Sequence, residues 1–327
     1  MIAYLLRSLA QAIVVMLAVA LIAFKMFRFV GDPVANMVGQ EASVADREEL
    51  AERLGLNQPV WMQFGEFLRD ISQGNLGMSY RQGRPVADLL VERLPATVEL
   101  ALLSAAFALI VGVMLGVYTA VRRRGLLANA VMSLSLVGVS LPTFLIGIGL
   151  IYVFAVELRW LPSFGRGETV KLGWWSTGLL TESGRKSLIM PTLTLAFYQL
   201  TLIMRLVRSE MLEALRTDYV KFARARGIPE RSIFFRHALR NTMIPVTTIA
   251  GLQLGSVIAF AIVTESVFQW PGLGSLFVQA VQFVDIPVMA AYLMFVAFVF
   301  VVVNLAVDLT YFALDPRLRG GLSAARS

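Results

Sequence analysis

The sequence predicts an all-α integral membrane protein of about six transmembrane helices. Three observations carry that reading. Hydrophobic residues make up 57% of the chain against 16% charged, and the mean hydropathy is +0.71, far from the balance of a soluble globular domain. Five uncharged stretches are long enough, at roughly 20 helical residues, to cross about 30 Å of hydrocarbon, and a sixth at the N-terminus falls slightly short. The net charge of +7 is distributed unevenly among the segments between them.

The first stretch, Ser8 to Phe24, is slightly short, but Lys25 and Arg28 can snorkel to the interface and lengthen it. Arg7 ahead of an apolar run and Ala18-Val19-Ala20 also suit a cleaved signal peptide. The run continues past that point and exceeds the usual core of about 7 to 15 residues, which favours an uncleaved anchor. Residues 1–30 are therefore set apart as an N-terminal transmembrane helix. Residues 31–95 form an acid-rich segment outside the bilayer, with ten Asp or Glu against six Arg. They read as a helix from about Asp46 to Leu54, a turn at Gly55 to Pro59, an amphipathic helix from about Val60 to Ile71, and a glycine-rich strip, Gly74-Asn75-Leu76-Gly77.

Residues 96–315 form the core, with spans at Leu100 to Val121, Gly125 to Val156, Ser187 to Met204, Asn241 to Thr264 and Ile286 to Val307. Pro142 lies inside the second of these and can kink its helix or begin it afresh, with Ser140 and Thr143 able to satisfy freed backbone groups. Between the second and third, Glu157 to Lys186 carries Trp160, Trp174 and Trp175, which suit an interfacial aromatic belt, with ligand stacking as the alternative. Counting Lys and Arg in alternating segments puts 16 on one side: Arg7, Arg122 to Arg124, nine from Arg205 to Arg240, and Arg317, Arg319 and Arg326. The other side, nearly twice as long, holds 11. The positive-inside bias then places both termini, including the tail 316–327, in the cytoplasm. It also accounts for the basic balance without nucleic acid.

The basic segment within 205–245 is the most informative. Asp218 is a plausible N-cap for a short helix in which Tyr219, Phe222, Ala223 and Arg226 recur at helical spacing; Gly227 and Pro229 end it and start another. The second helix sets Ile233, Phe234, Ala238 and Leu239 on an apolar face and leaves Arg231, Arg236 and Arg240 polar. A basic amphipathic loop lying on anionic lipid has this pattern. So does a docking knob, since aromatic and small residues on a short rigid helix suit helix-in-groove recognition.

With no cysteine and a single histidine, His237, thiol chemistry, disulfides and His- or Cys-rich metal sites are excluded. No metal or cofactor is expected. Within the spans, Gln199, Gln253, Ser256 and Asn304 are candidate path-lining groups, although polar side chains also join helices to one another. Glu265 and Asp308 fall at span ends, where capping or bonds between subunits are expected of them.

Several runs resemble a known family: Arg208-Ser209-Glu210-Met211-Leu212-Glu213, Asp218 to Gly227, Arg236-His237-Ala238-Leu239-Arg240-Asn241 and Ile244-Pro245. Together they look like the coupling loop of binding-protein-dependent ABC importer permeases of the dipeptide/oligopeptide branch. The resemblance extends to Gly31-Asp32-Pro33, Leu54 to Pro59, Asn75 to Ser79, Ser140 to Phe144, Leu161 to Gly165, Thr264 to Phe268, Trp270 to Gly274, Asp285 to Val288, Asp308-Leu309 and Asp315-Pro316-Arg317. The general importer motif has Glu-Ala-Ala where Lys221, Phe222 and Ala223 stand here. A basic residue at that place is characteristic of the peptide branch. Of its later Ile-x-Leu-Pro only Leu239 agrees.

The resemblance implies an importer-type permease core with an extra N-terminal helix and an extracytoplasmic insertion, in a bacterial-type inner membrane. The implied ATPase-coupling residues are Asp218, Tyr219, Phe222, Ala223, Arg224, Arg226, Gly227 and Arg236. The implied partners are a second permease subunit, expected to be a paralogue, two cytoplasmic ABC ATPase subunits and an extracytoplasmic solute-binding protein. That protein would land on the 31–95 segment and the loops around Trp160 and Trp270. Gly165-Arg166-Gly167 lacks the Gly-Lys-Ser/Thr ending of a phosphate loop, so a transport subunit without its own ATPase site is expected. The alternative, a proton-coupled secondary transporter, calls for midplane carboxylates or histidines and internal repeats, neither of which is evident. An intramembrane enzyme would need a nucleophile and base in the spans.

Overall fold

A computed structural model describes residues 2–29 and 58–314. The expected helix at Asp46 to Leu54, Gly31-Asp32-Pro33, the tail and the side chain of Asp308 lie outside the described residues. The described chain divides into two compact units. One comprises the described residues among 1–97, with 171–176 and 271–301; the other comprises 98–170, 177–270 and the described residues from 302 on. Among the described residues, four helices are long and apolar enough to cross a membrane, and two bent helix pairs raise the number to six.

In the first unit, α1 (Ile2–Phe29) is followed by α2 (Val60–Ser72), within a residue of the expected amphipathic helix. Phe64, Phe67, Leu68 and Ile71 of α2 pack on Ala20 and Ala23 of α1 and on Ala290 and Met294. The ring of Phe24 lies 5.4 Å from that of Phe64 and 5.8 Å from that of Phe67. The glycine-rich strip is a turn that leads to Ser79. There the buried Asp285 carboxylate accepts from the Ser79 hydroxyl, from the Tyr80 N–H at 3.1 Å and from the Arg81 N–H at 3.4 Å. Burial, reinforced by the Asp285 charge, pushes the Tyr80 phenol above its ordinary value. The Arg81 guanidinium sits 3.2 Å over the Phe283 ring. Two runs singled out by sequence alone, Asn75 to Ser79 and Asp285 to Val288, are thus joined directly.

The helix α3 (Val86–Val121) begins in this unit and ends in the other, passing through Pro95 without stopping. The sequence sets a boundary at that proline; the helix crosses it. A proline inside a helix forfeits one hydrogen bond, at about 3 kcal/mol or more, yet Ala96, Thr97 and Leu100 around it are buried, and the Thr97 hydroxyl accepts from the Leu273 N–H at 2.8 Å. That contact anchors a ten-residue helix (Leu273–Gln282) which the periodic pattern does not anticipate.

In the second unit, α4 (Leu126–Ser140) and α5 (Thr143–Leu150, continuing through a wider turn, Ile151–Glu157) replace the single expected span Gly125 to Val156. They meet at 112°. The cause is local: a residue before proline is pushed out of the helical region, Leu141 is extended with ψ 135, and Pro142 starts α5 as its N-cap. The next connection holds two short strands absent from the sequence reading, β1 (Val170–Leu172) and β2 (Trp175–Thr177), of which residues 171–176 count with the first unit. It leads to α6 (Glu182–Ala214), a helix longer at both ends than the expected span Ser187 to Met204.

The core of this unit joins Ala108, Val117 and Ala120 of α3 with Ala196, Ile203, Val207 and Met211 of α6, and with Ala238 and Val246. Small residues let the backbones approach, as membrane helix packing requires. A Cβ added at Gly116 would come within 2.6 Å of the Val207 Cβ, and one at Gly138 within 2.6 Å of the Thr201 hydroxyl.

Candidate functional site

The basic segment folds as an elbow. After α6, the Thr217 hydroxyl donates to the Ala214 carbonyl at 2.5 Å, and α7 (Asp218–Ala225) begins. Thr217 is the N-cap residue, not Asp218 as the sequence suggests. Asp218 lies in the first helical turn, where its carboxylate favours the positive helix end and pairs with Lys221 at 2.9 Å. Gly227 closes α7 with φ +72, a left-handed conformation that glycine takes without Cβ strain. The next N–H, that of Ile228, reaches back to the Ala223 carbonyl at 3.2 Å.

Pro229 then caps a second helix, Glu230–Ser232, which runs on through the wider turn Ile233–Ala238 into the long helix Leu239–Val267. The fork of Arg224 grips Glu230 with two bonds, at 2.7 and 3.2 Å, tying the arms together. The bond to Glu230 raises the Arg224 pKa above its ordinary value. Inside the elbow, Val220, Ala223 and Ile233 are buried and pack with Leu215, Ile228 and Phe234. Ala223 therefore belongs to the elbow's own core.

The outward face carries two aromatics. Phe222 is 64% exposed and Tyr219 40%. The Tyr219 hydroxyl accepts from the Asn241 side-chain amide at 3.1 Å, which fixes its ring relative to the long helix. Arg226 stands 5.8 Å from the Phe222 ring. On the second arm, Arg231, Phe235 and Arg236, with Pro229 and Ser232, line a shallow groove of about 500 Å³. Phe235, half exposed, escapes the sequence reading because it falls outside the apolar stripe that signals the buried face.

The candidate path residues divide. Gln199 is buried in α6, while Gln253, Ser256 and Asn304 are half-buried in their helices. Glu265 is fully buried two residues before its helix ends. The tryptophans divide as well: Trp160 and Trp174 are exposed, whereas Trp270 is wholly buried, so its ring is not available to a docking protein.

Buried polar groups around the connection between α5 and α6 form a network that the sequence reading misses. Glu99 accepts from Arg166 at 2.5 Å, from the Thr177 hydroxyl at 2.7 Å and from the Gly178 N–H at 3.1 Å. Both ion-pair side chains are nearly excluded from solvent. Glu99 stands at the edge of a long apolar run, where it reads only as a span boundary. In the same region the Gly165 N–H donates to the Phe268 carbonyl at 2.9 Å, bringing together the runs Leu161 to Gly165 and Thr264 to Phe268.

Residues 112–320 match the profile of the binding-protein-dependent transport system inner membrane component, and residues 1–101 that of the N-terminal part of such membrane components. The chain belongs to this family. A dipeptide transport system permease protein of Alkalihalophilus pseudofirmus is 36% identical, covering 98% of this chain and all of the relative. A probable D,D-dipeptide transport system permease protein of Escherichia coli is 40% identical, covering 89% and 90%. Among solved structures, a chain of the MetNI methionine ABC transporter in an inward-facing conformation superposes with a TM-score of 0.56 over 69% of this chain and 96% of that one, at 20% identity. That likeness establishes the importer-permease fold. The transport component is accordingly a multi-pass membrane protein.

Proposed function

We propose that this chain is one of two membrane subunits of an ATP-driven importer of peptides or similar small solutes. On this reading it forms half of the translocation path, and the Asp218–Ala225 helix seats in a groove on a cytoplasmic ABC ATPase. The observation that carries the reading is the division of that helix into a buried face, Val220 and Ala223, and an outward aromatic face, Tyr219 and Phe222. A helix clamped to its own elbow by Arg224 and Glu230 moves as a rigid unit. Nucleotide-driven closure of two ATPases would then be passed to the helices on either side of it as domain rocking.

The full assembly has a second permease subunit, a paralogue of this chain, two ATPase subunits without which this chain hydrolyses no ATP, and an extracytoplasmic solute-binding protein. The names of the peptide-transporting relatives support the substrate class. Both termini lie in the cytoplasm, a placement that the loop charges support. Residues 31–95 form the extracytoplasmic segment, and the half-buried Gln253, Ser256 and Asn304 face the path, whereas Gln199, buried within the chain, does not. Asp218, Arg226 and Arg236 supply polar contacts at the rim of the ATPase groove.

The test is a mild-detergent pull-down of the tagged chain with mass spectrometry of co-purifying proteins and an ATPase assay on the complex. Recovery of a second permease and ATPases supports the reading. An active transporter recovered alone, without an ATPase, refutes it in favour of a proton-coupled carrier.

A further inference from the structure

The helix α2 offers a surface that importer coupling does not use. Phe64, Phe67, Leu68 and Ile71 point into the packing against α1 and the helix that begins at Ile286. Around that packed face the remaining residues fall into two arcs of different chemistry. Trp61, Gly65 and Ser72, spaced i, i+4 and i+11 and all exposed, form a neutral flank. Arg69, Glu66 and Asp70 occupy the adjoining arc, which turns away from the tryptophan until Asp70 stands opposite Trp61. Trp61 is 72% exposed, one of the most exposed large apolar side chains among the described residues, and Val60 and Met62 beside it are exposed too.

Where α2 sits along α1 decides what can cover this flank. It contacts Ala20, Ala23 and Phe24, in the last turns of the apolar window Ser8–Met26. On the same turns of α1, Leu21 and Ile22 are exposed, and on a membrane-spanning helix an exposed apolar side chain meets lipid. The buried small residues that receive α2 and the exposed ones that meet hydrocarbon are thus at one depth. We propose that α2 is an interfacial helix, with its Trp61 flank embedded in the headgroup and acyl boundary of the bilayer where α1 leaves it, and its charged arc turned to water. An amphipathic ring at headgroup depth is the placement tryptophan favours, and a helix with one apolar and one charged side lies in the plane of the interface. So placed, α2 braces the exit of α1 and fixes the height of the chain in the bilayer.

The chain lacks cysteine, so one introduced thiol carries one label. Nothing lies within 4 Å of a Cβ placed at Gly65, and Glu66 is exposed, so neither Gly65→Cys nor Glu66→Cys disturbs packing. Each variant of the full chain, assembled with its co-purifying subunits, is labelled with an environment-sensitive fluorophore and placed in nanodiscs containing lipids with headgroup or shallow acyl nitroxides. An interfacial helix lies about 5–10 Å into the boundary, so the label at position 65 should emit further to the blue, resist aqueous iodide and be quenched by the shallow lipid nitroxides about threefold more than the label at position 66. Adding Trp61→Ala should reduce that quenching. Equal, water-like behaviour of the two labels would overturn the proposal. So would a label at 65 that is shielded from iodide but untouched by lipid quenchers, since a protein partner would then occupy the flank.

Discussion

Phe222→Ala tests the coupling assignment most directly, because the ring contributes little to the fold and much to the proposed interface. Burying a phenylalanine side chain fully stabilises by about 1.5–3 kcal/mol. With 64% of the residue exposed, roughly two-thirds of that gain remains for a partner, about 1–2 kcal/mol. This corresponds to about 5- to 30-fold weaker ATPase association. The part already buried in the chain, together with the Arg226 contact at the outer limit of cation–π reach, is worth about 0.5–1 kcal/mol of folding stability. The assay is titration of purified ATPase onto the membrane complex in nanodiscs, alongside uptake and thermal unfolding of the same preparation. Ile233→Ala supplies the contrast. That side chain is wholly buried between the arms, and its loss should cost about 2–5 kcal/mol of stability, disordering the elbow itself. The double replacement of Tyr219 and Phe222 by Asp should abolish coupling while leaving membrane insertion intact. If Phe222→Ala binds ATPase and transports at the parent level, the outward aromatic face is not the docking surface.

Three further expectations follow from other parts of the molecule. A Ser323→Cys variant should resist impermeant thiol reagents in intact cells and react after permeabilisation; ready labelling in intact cells would reverse the topology. Glu99→Gln removes the charge from a buried pair with Arg166. Breaking such a pair costs about 3–5 kcal/mol, so thermal unfolding in detergent should shift sharply downward, and an unchanged midpoint would show that the network does not brace the connection between α5 and α6. Gly116→Ala drives a methyl group against Val207 and should cost about 1–3 kcal/mol by overpacking, read as loss of a monodisperse elution peak. Gly149→Ala, with nothing within 4 Å, should elute normally.

The elbow was legible in the sequence because each of its parts has a local cause. Gly227 breaks the helix and Pro229 starts another; the structure moves the cap from Asp218 to Thr217 and separates Ala223, which the spacing groups with Tyr219 and Phe222, into the buried face beside Val220. Pro95 and Pro142 show where local reasoning divides. Both are prolines in apolar surroundings, yet one lies within a continuous helix and the other sits at a 112° break. At Pro142 the preceding Leu141 is extended and a new helix starts; at Pro95 buried neighbours hold the helix together.

Composition, apolar run lengths and loop charge determined by themselves that this is a multi-span helical membrane protein, because transfer of backbone and side chains into hydrocarbon is a local, additive quantity. The short motifs determined the family. Tertiary structure alone decided which distant groups meet: Glu99 with Arg166 and Thr177, Ser79 with Asp285, Gly165 with the Phe268 carbonyl. It alone decided that Trp270 is buried while Trp61 is exposed. The physical reason is that a polar group in a nonpolar interior must find its partner in space. Separations of 67, 78 and 206 residues leave no periodic trace along the chain from which that partner could be read.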